Sequence, residues 1–531
     1  MFPILSVITL LPLVGGIVLL FFPRDFHNTI RWTALAVAGA NLVLTAILML
    51  IYSQSTVSAT FQGTFLFNEE VTWIAPLGIN YSLGVDGISI LLVVLTALLT
   101  VVSIAASFGI EQKVKNYMAF MLLLESGILG VFLSTNLFLF YIFWELMLIP
   151  AYFLVGSWGG ERRIYAAFKF VLYTSIGSLL MLAGIIALGY YHQVATGGSY
   201  TLDLASLLGT KLDGTIQIWL LLAFSAAFVV KVPFIPFHSW LPDAYSEAPA
   251  PVTAMLAGAM SKTGAYGFLR LCIPLFPQAM QNLAPYFSGL AVAGILYCAL
   301  MALVQTDLKR LLGYSSISHL GVIMLGMFAF NVQGVEGSVM QMVNHGITIA
   351  ALFLIVGFIE QRVGTRRLSD FGGLAARIPV LATVMIITVL SSLGLPGLNS
   401  FAGEFLALLG AFRNNIWFGV LGTLVVIPAA WYMLRFFLGI MQGPRQNEGF
   451  FAARLSEARR ESGVGGRNTR TVVGASIRKN TLPDLHISEF VTILPLLALI
   501  FYLGLQPLPL TFLLEPSVLN TLQILGNAIV R

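Results

Sequence analysis

Fourteen apolar runs, each long enough to cross a bilayer as a helix, occupy most of the chain: 4–22, 32–52, 84–108, 116–134, 136–156, 165–190, 216–240, 251–275, 286–306, 311–330, 338–360, 379–411, 416–441 and 488–513. About 20 apolar residues are enough to span the hydrocarbon core. In lipid the backbone must satisfy its own hydrogen bonds, so runs of this length read as helices. Composition agrees: 58% of the residues are hydrophobic and 10% are charged, where a soluble chain would carry roughly a quarter charged residues. A soluble globular fold is excluded, and the expected class is an all-α polytopic membrane protein. The first run is expected to stay as a helix, because Met1-Phe2-Pro3 supplies no basic leader and no small-residue cleavage site follows.

Basic residues in loops set the orientation. Loops after odd-numbered runs hold twenty of the 28 Lys and Arg residues, from Arg24 and Arg31 to Arg478 and Lys479. Loops after even-numbered runs and the tail hold only Lys211, Arg413 and Arg531. One missed helix would scramble this asymmetry, and it places both termini on the side opposite the cytoplasm or its equivalent. Much of the +5 net charge sits in the Arg-rich loop 443–487, so no basic face for nucleic acid emerges. That loop reads as a solvated cytoplasmic-side segment, with a docking surface for a partner or for anionic lipid as the alternative. Cys272 and Cys298 stand in separate apolar runs and form no cluster, zinc or disulfide motif.

A charge at mid-bilayer costs at least about 2.5–3.5 kcal/mol, which makes enclosed ionisable residues functional candidates. Glu145 follows Phe-Leu-Phe-Tyr-Ile-Phe-Trp144 near the middle of its run, too short to reach water from there. Lys231 precedes Pro233 and Pro236 in Lys231-Val-Pro-Phe-Ile-Pro-Phe-His238-Ser-Trp240-Leu-Pro-Asp243. The two prolines should deprive the carbonyls of Val229 and Val232 of their usual donors, and broken backbone at membrane depth is tolerated only inside protein or along a wet cavity. Lys262 sits centrally in its run; the surrounding Ser261-Lys262-Thr263 only mimics a phosphate loop, because the required Gly is missing and no strand precedes it. His319 and His345 lie in strongly apolar helices, and Glu404 follows a second break at Leu393-Gly394-Leu-Pro396-Gly397. Lys169 and His238 are supporting candidates. Glu125, Arg270 and Arg435 can pair locally or snorkel and stay outside the set.

Pro-interrupted helices occur at the seventh and twelfth runs, five apart. Grouping 116–275 and 286–441 places the broken helix fourth in each unit. Five is odd, so the second unit is inverted relative to the first, the arrangement that points to a transport site at the midplane. The expected architecture is therefore about fourteen transmembrane helices: residues 1–115 as the first three, two inverted five-helix repeats each with one broken helix, the 443–487 loop, and 488–531 as a last helix with a tail. Glu, Lys, Lys, His, His and Glu in one plane share one competence, the passing of protons. The charge state of a desolvated Lys depends on a carboxylate within about 4–6 Å, so moving the Glu145 charge would switch Lys231 between holding and releasing a proton. Carrying one charge across 100 mV takes about 2.3 kcal/mol, against about 1.36 kcal/mol per pKa unit. The chain has no motif for a cofactor, nucleotide or metal, so the driving energy must come from a partner or an ion gradient.

The segments Phe143-Trp144-Glu145-Leu-Met-Leu-Ile-Pro150, Lys231 to Asp243-Ala244, Ser261-Lys262-Thr-Gly-Ala-Tyr-Gly267 and Tyr314-Ser-Ser-Ile-Ser-His319-Leu-Gly321 resemble the antiporter-like subunits of respiratory complex I over nearly the whole chain outside 443–487. The resemblance is closest to the M type, the mitochondrial subunit 4 and cyanobacterial or plastid chain 4 type, because Glu404 stands where the L and N types carry Lys. It implies a proton channel with Glu145 and Lys231 as entry pair, Lys262 as central relay, His319 and His345 as continuation and Glu404 as exit. It further implies L-type, N-type and small membrane subunits as neighbours. Iron–sulfur clusters, quinone and NAD(P)H or ferredoxin would then lie in partner subunits, with none in this chain. The membrane would be a bacterial plasma membrane or a thylakoid with plastoquinone. A subunit of a multi-subunit Na⁺/H⁺ antiporter or of a membrane-bound hydrogenase remains the alternative.

Overall fold

The computed structural model describes residues 3–57, 65–74, 79–443 and 482–530. Helices dominate it, and many begin at an Asx residue whose side chain takes up free N–H groups of the first turn. Asp86 caps α3 (Gly87–Ala106), which follows α1 (Ile4–Leu19) and α2 (His27–Val57). After α4 (Val114–Leu133), Asn136 caps α5 (Leu137–Leu146), which continues through Met147 into α6 (Leu148–Trp158). Then come α7 (Arg163–Thr196), the short α8 (Leu204–Leu207) and α9 (Gly214–Lys231), capped by Asp213. Such caps contribute about 1 kcal/mol each; in a bilayer they also close the helix ends.

α9 stops at Lys231, and α10 (Trp240–Glu247) follows the Pro-rich break. The break is better satisfied than the prolines alone suggest. Phe234 N–H donates to the Val229 carbonyl at 2.9 Å, and the Trp240 indole N–H reaches the Val230 carbonyl at 2.9 Å. The expected continuous run 251–275 is segmented: α11 (Ala250–Met255), a π turn (Leu256–Met260), α12 (Lys262–Gly267), a second π turn (Phe268–Cys272) and α13 (Ile273–Leu275). The π turns flank Lys262, and π-bulges concentrate where a helix is functionally constrained.

The remaining helices are α14 (Pro277–Val304), α15 (Leu308–Met327), α16 (Val332–Val363), α17 (Pro379–Ser392), α18 (Asn399–Asn414), α19 (Ile416–Thr423), α20 (Val426–Met441), α21 (Ile487–Leu505) and α22 (Leu508–Val530). α17 and α18 are the two halves of the second broken helix, joined through Gly394 (φ +68°) and Gly397 (φ +93°). As at the first break, a backbone bond five residues back closes it: Leu395 N–H to the Leu390 carbonyl, 3.1 Å. α16 is buried along its whole apolar window and packs on α3, α11, α15, α17, α18, α21 and α22. By contrast, α7 turns Phe168, Leu172, Ile176, Leu179 and Ile186 outward, a greasy outer surface around a polar-seamed interior.

Eleven described helices are long and apolar enough to cross a membrane. Ten coincide with expected runs. The other four runs are the sixteen-residue α1, the two segmented helices, and α15, whose Lys309, Arg310, Ser315, Ser316, Ser318 and His319 dilute its hydropathy. The eleventh is α22. Gln506-Pro507 stops α21, and the segment read as a tail forms a helix instead. Ser517 of α22 accepts from Gly87 N–H at the start of α3, α22 packs on α13, and Asn520, Thr521 and Ile524 line a small cavity with Leu204 and Pro274. It therefore lies across helix ends, on the face away from the basic loops.

The sequence reading also missed a β-hairpin, Leu66–Ile74 paired antiparallel with Ile79–Val85. Its Glu69 carboxylate accepts from Leu5 N–H (2.7 Å), Ser6 N–H (2.8 Å) and Ser6 Oγ (2.5 Å), closing the start of α1 with a negative charge at the positive end of the dipole. Of the Arg-rich loop, 444–481 lie outside the described residues. Its last residues are docked: Asp484 accepts from Val380 and Leu381 N–H at the start of α17, and Arg362 pairs with Glu489.

Arg270, set aside at first, forms an ion pair with Asp86, both buried, where the second π turn meets the start of α3. Removing one partner of a buried pair costs about 3–5 kcal/mol, whereas an apolar replacement of both is far milder. Asp86→Ala should therefore lower the thermal unfolding midpoint of the detergent-solubilised protein, read by tryptophan fluorescence. Asp86→Ala with Arg270→Met should recover most of the loss.

Candidate functional site

Four of the expected residues form a file through the buried bundle. Lys262, the first residue of α12, directs its Nζ to His345 Nδ1 of α16 at 2.8 Å. The same ammonium donates to the Ala257 carbonyl (2.5 Å), an acceptor in the preceding π turn, and lies 3.3 Å from Ser261 Oγ. The His345 ring stands 5.6 Å, centroid to centroid, from the His319 ring of α15. His319 Nδ1 then meets Glu404 Oε1 of α18 at 2.6 Å. Gln341 Nε2, one turn before His345 on α16, donates to the same Glu404 oxygen at 2.8 Å. Lys262, His319 and His345 are each at most 4% exposed.

The file has uncommitted ends. His345 Nε2 and His319 Nε2 are both buried and make no hydrogen bond. If Lys262 donates to His345 Nδ1, that imidazole carries its proton on Nε2. If His319 donates to Glu404, its own Nε2 is an acceptor. In these tautomers the two neighbouring rings carry one free donor and one free acceptor.

Lys231 and Glu145 lie beyond the Lys262 end. Lys231 is 1% exposed; its Nζ makes no hydrogen bond and sits 5.2 Å from the Trp144 ring and 5.6 Å from the Phe170 ring. Aromatic faces attract a cation without fixing a proton in place. Glu145, at the end of α5, is half-buried, and its Oε1 is buried without a hydrogen bond. Close packing brings the two lysine-bearing helices together: a Cβ at Gly264 of α12 would lie 3.0 Å from Lys231 Cβ and 2.8 Å from Val232 Cγ2.

The supporting candidates stand apart from the file. Lys169 Nζ binds Asp243 Oδ2 at 2.8 Å and the Ser239 carbonyl at 2.9 Å, tying α7 to α10, and Arg310 shares Asp243. The His238 ring packs edge-on to Tyr297 at 5.5 Å, with Nδ1 unbonded. Glu125 is fully buried elsewhere, accepting from Asn41 Nδ2 of α2 at 2.8 Å. Arg435 donates to the Leu303 carbonyl. Sequence reasoning missed Gln341 and Asn344, yet Gln341, Asn344, His345 and Thr348 fall at i, i+3, i+4 and i+7, one polar stripe on an apolar helix.

The family model described as NADH:quinone oxidoreductase/Mrp antiporter, TM, matches residues 134–427. The chain belongs to this family. NADH-quinone oxidoreductase subunit M of Rickettsia bellii is 37% identical over 526 residues, covering 98% of each chain. A chain of respiratory complex I from Thermus thermophilus superimposes with TM-score 0.83 at 30% identity, over 98% of this chain and 100% of that one. A chain of the Mrp complex from Dietzia sp. shares the fold, with TM-score 0.81 at 24% identity over 98% and 99%.

A methyl group at Gly264 must push Lys231 away from Lys262, an overpacking of about 1–3 kcal/mol. Gly264→Ala should leave the assembled complex intact. Proton translocation per electron in sealed vesicles should fall severalfold, while electron transfer with uncoupler stays within about twofold of wild type.

Proposed function

We propose that this chain is the M-type, proton-translocating antiporter-like subunit of an NADH:quinone oxidoreductase. One observation carries the reading: Lys262 and His345 are hydrogen-bonded at 2.8 Å, the His345 and His319 rings stand 5.6 Å apart, and His319 meets Glu404 at 2.6 Å, all inside the buried bundle. Buried titratable groups in such a row are expensive to maintain and have one shared use, the transfer of protons.

In this reading Glu145 and Lys231 load the file, Lys262 passes the proton to His345, and His319 delivers it to Glu404. Lys231 lacks a fixed partner, so a change in the Glu145 charge or position alters its hold on a proton. Units 116–275 and 286–441 act as inverted repeats within a fourteen-span bundle, each with one broken helix as access route; the shared five-residue closure of the two breaks supports that pairing. α22 is then a lateral helix, and both ends of the spanning bundle face away from the basic loops. NADH oxidation, iron–sulfur clusters and quinone belong to partner subunits, and L-type, N-type and small membrane subunits flank this one in a bacterial energy-transducing membrane. The family also includes Mrp antiporters, and a transport activity that requires Na⁺ would favour that assignment.

The test uses membranes carrying the assembled complex. Glu145→Gln and Lys231→Ala should each reduce the pH gradient formed per NADH oxidised at least fivefold without loss of assembly. Normal pumping in both removes the loading pair. Glu404→Lys should retain more pumping than Glu404→Ala, since a titratable group survives; equal loss would remove Glu404 from the path.

A further inference from the structure

The histidine pair stands at a fork. One arm runs to Glu404 and Gln341. The other begins at Asn344, next to His345 on α16, whose side-chain Oδ1 and Nδ2 are both buried and make no hydrogen bond. One turn further, Thr348 Oγ1 lies 2.8 Å from Ser391 Oγ of α17 and 3.3 Å from Asn399 Oδ1. Ser391 donates to Asn399 Oδ1 at 2.6 Å, and Asn399 Nδ2 returns to the Asn344 carbonyl at 3.1 Å. Thr348, Ser391 and Asn399 are each at most 2% exposed. This cluster of hydroxyls and amides fills the gap between the end of α17 and the start of α18.

Direction follows from the helices. α16 runs toward the basic face, ending near Arg362, so Thr348 lies on that side of His345 while Gln341 lies on the other. α17 starts at the basic face and brings Ser391 down to the same level. Thr388, buried one turn above Ser391, continues the polar row; Val384 to Ile387 then close it with one apolar turn. Thr348 lies one turn from both Asn344 and His345 on the same helix, so the free Asn344 amide, the free His345 Nε2 and the hydroxyl cluster supply the polar partners a buried water needs.

We propose that Asn344, Thr348, Ser391 and Asn399 form a second loading arm, which carries water and protons between the basic face and the His319–His345 pair, gated by the apolar turn 384–387. The second repeat then exchanges water and protons at its own break, in step with loading at Glu145 and Lys231. This rests on the proton-relay reading above and adds a route to it.

The test compares assembled complexes in sealed native membrane vesicles. Thr348→Val with Ser391→Ala removes two hydroxyls at nearly constant volume and should lower the pH gradient per NADH oxidised at least twofold, with uncoupled electron transfer unchanged. Thr348→Ser, which keeps the hydroxyl, should restore the wild-type gradient in the Thr348 background; a purely packing role would not be rescued this way. The single variant Thr348→Val carries the same expectation if the double variant fails to assemble. Wild-type pumping in both hydroxyl-less variants alongside loss in Glu404→Ala overturns the arm and leaves the relay standing. Wild-type pumping in Glu404→Ala as well overturns the relay itself.

Discussion

A chain surrounded by hydrocarbon must pair every backbone N–H and C=O within itself, and that demand organises this molecule. It selects helices for the long apolar runs, favours Asx caps at several of their starts, and confines irregular backbone at membrane depth to the interior. At the two interior breaks the freed backbone groups draw polar side chains together. At the first, the Trp240 indole and a bond five residues back compensate for Pro233 and Pro236. At the second, Ser391, Thr348 and Asn399 serve the same need with side chains. The titratable file lies between these two regions, within reach of both.

Burial gives the file its chemistry. In water, Lys262 and His345 would exchange protons with solvent and no order would result. Inside α11–α13, α15, α16 and α18, each group meets only the few partners packed against it. The π turns on either side of Lys262 add to this. They displace the helix register so that the ammonium meets a backbone carbonyl and an imidazole together. Lys231, facing only aromatic rings, is held by attraction alone.

Much of this was readable from residues alone. Periodicity and length gave the helices, prolines gave both interruptions, and isolated charges in apolar runs singled out Lys262, His319, His345 and Glu404 before their contacts were known. What stayed hidden has physical causes. A π turn leaves hydrophobicity unchanged, so 251–275 read as one helix. The hairpin near Glu69 is short and lies between two dominant apolar signals, although its alternation is present. Apolar content cannot distinguish a helix that crosses lipid from one that rests on helix ends, which is why α22 was taken for a tail. The polar stripe from Gln341 to Thr348 was visible but was read only at its histidine, because uncharged residues carry no insertion penalty large enough to attract notice.

The enclosure of the apolar stretch of α16 has a mechanical side. One rigid rod presents His345 to Lys262, Gln341 to Glu404, and Thr348 to Ser391. A small rotation of that rod about its axis would alter all three contacts in the same instant. Three contacts on three neighbouring helices are thereby tied to one coordinate without any long-range signal.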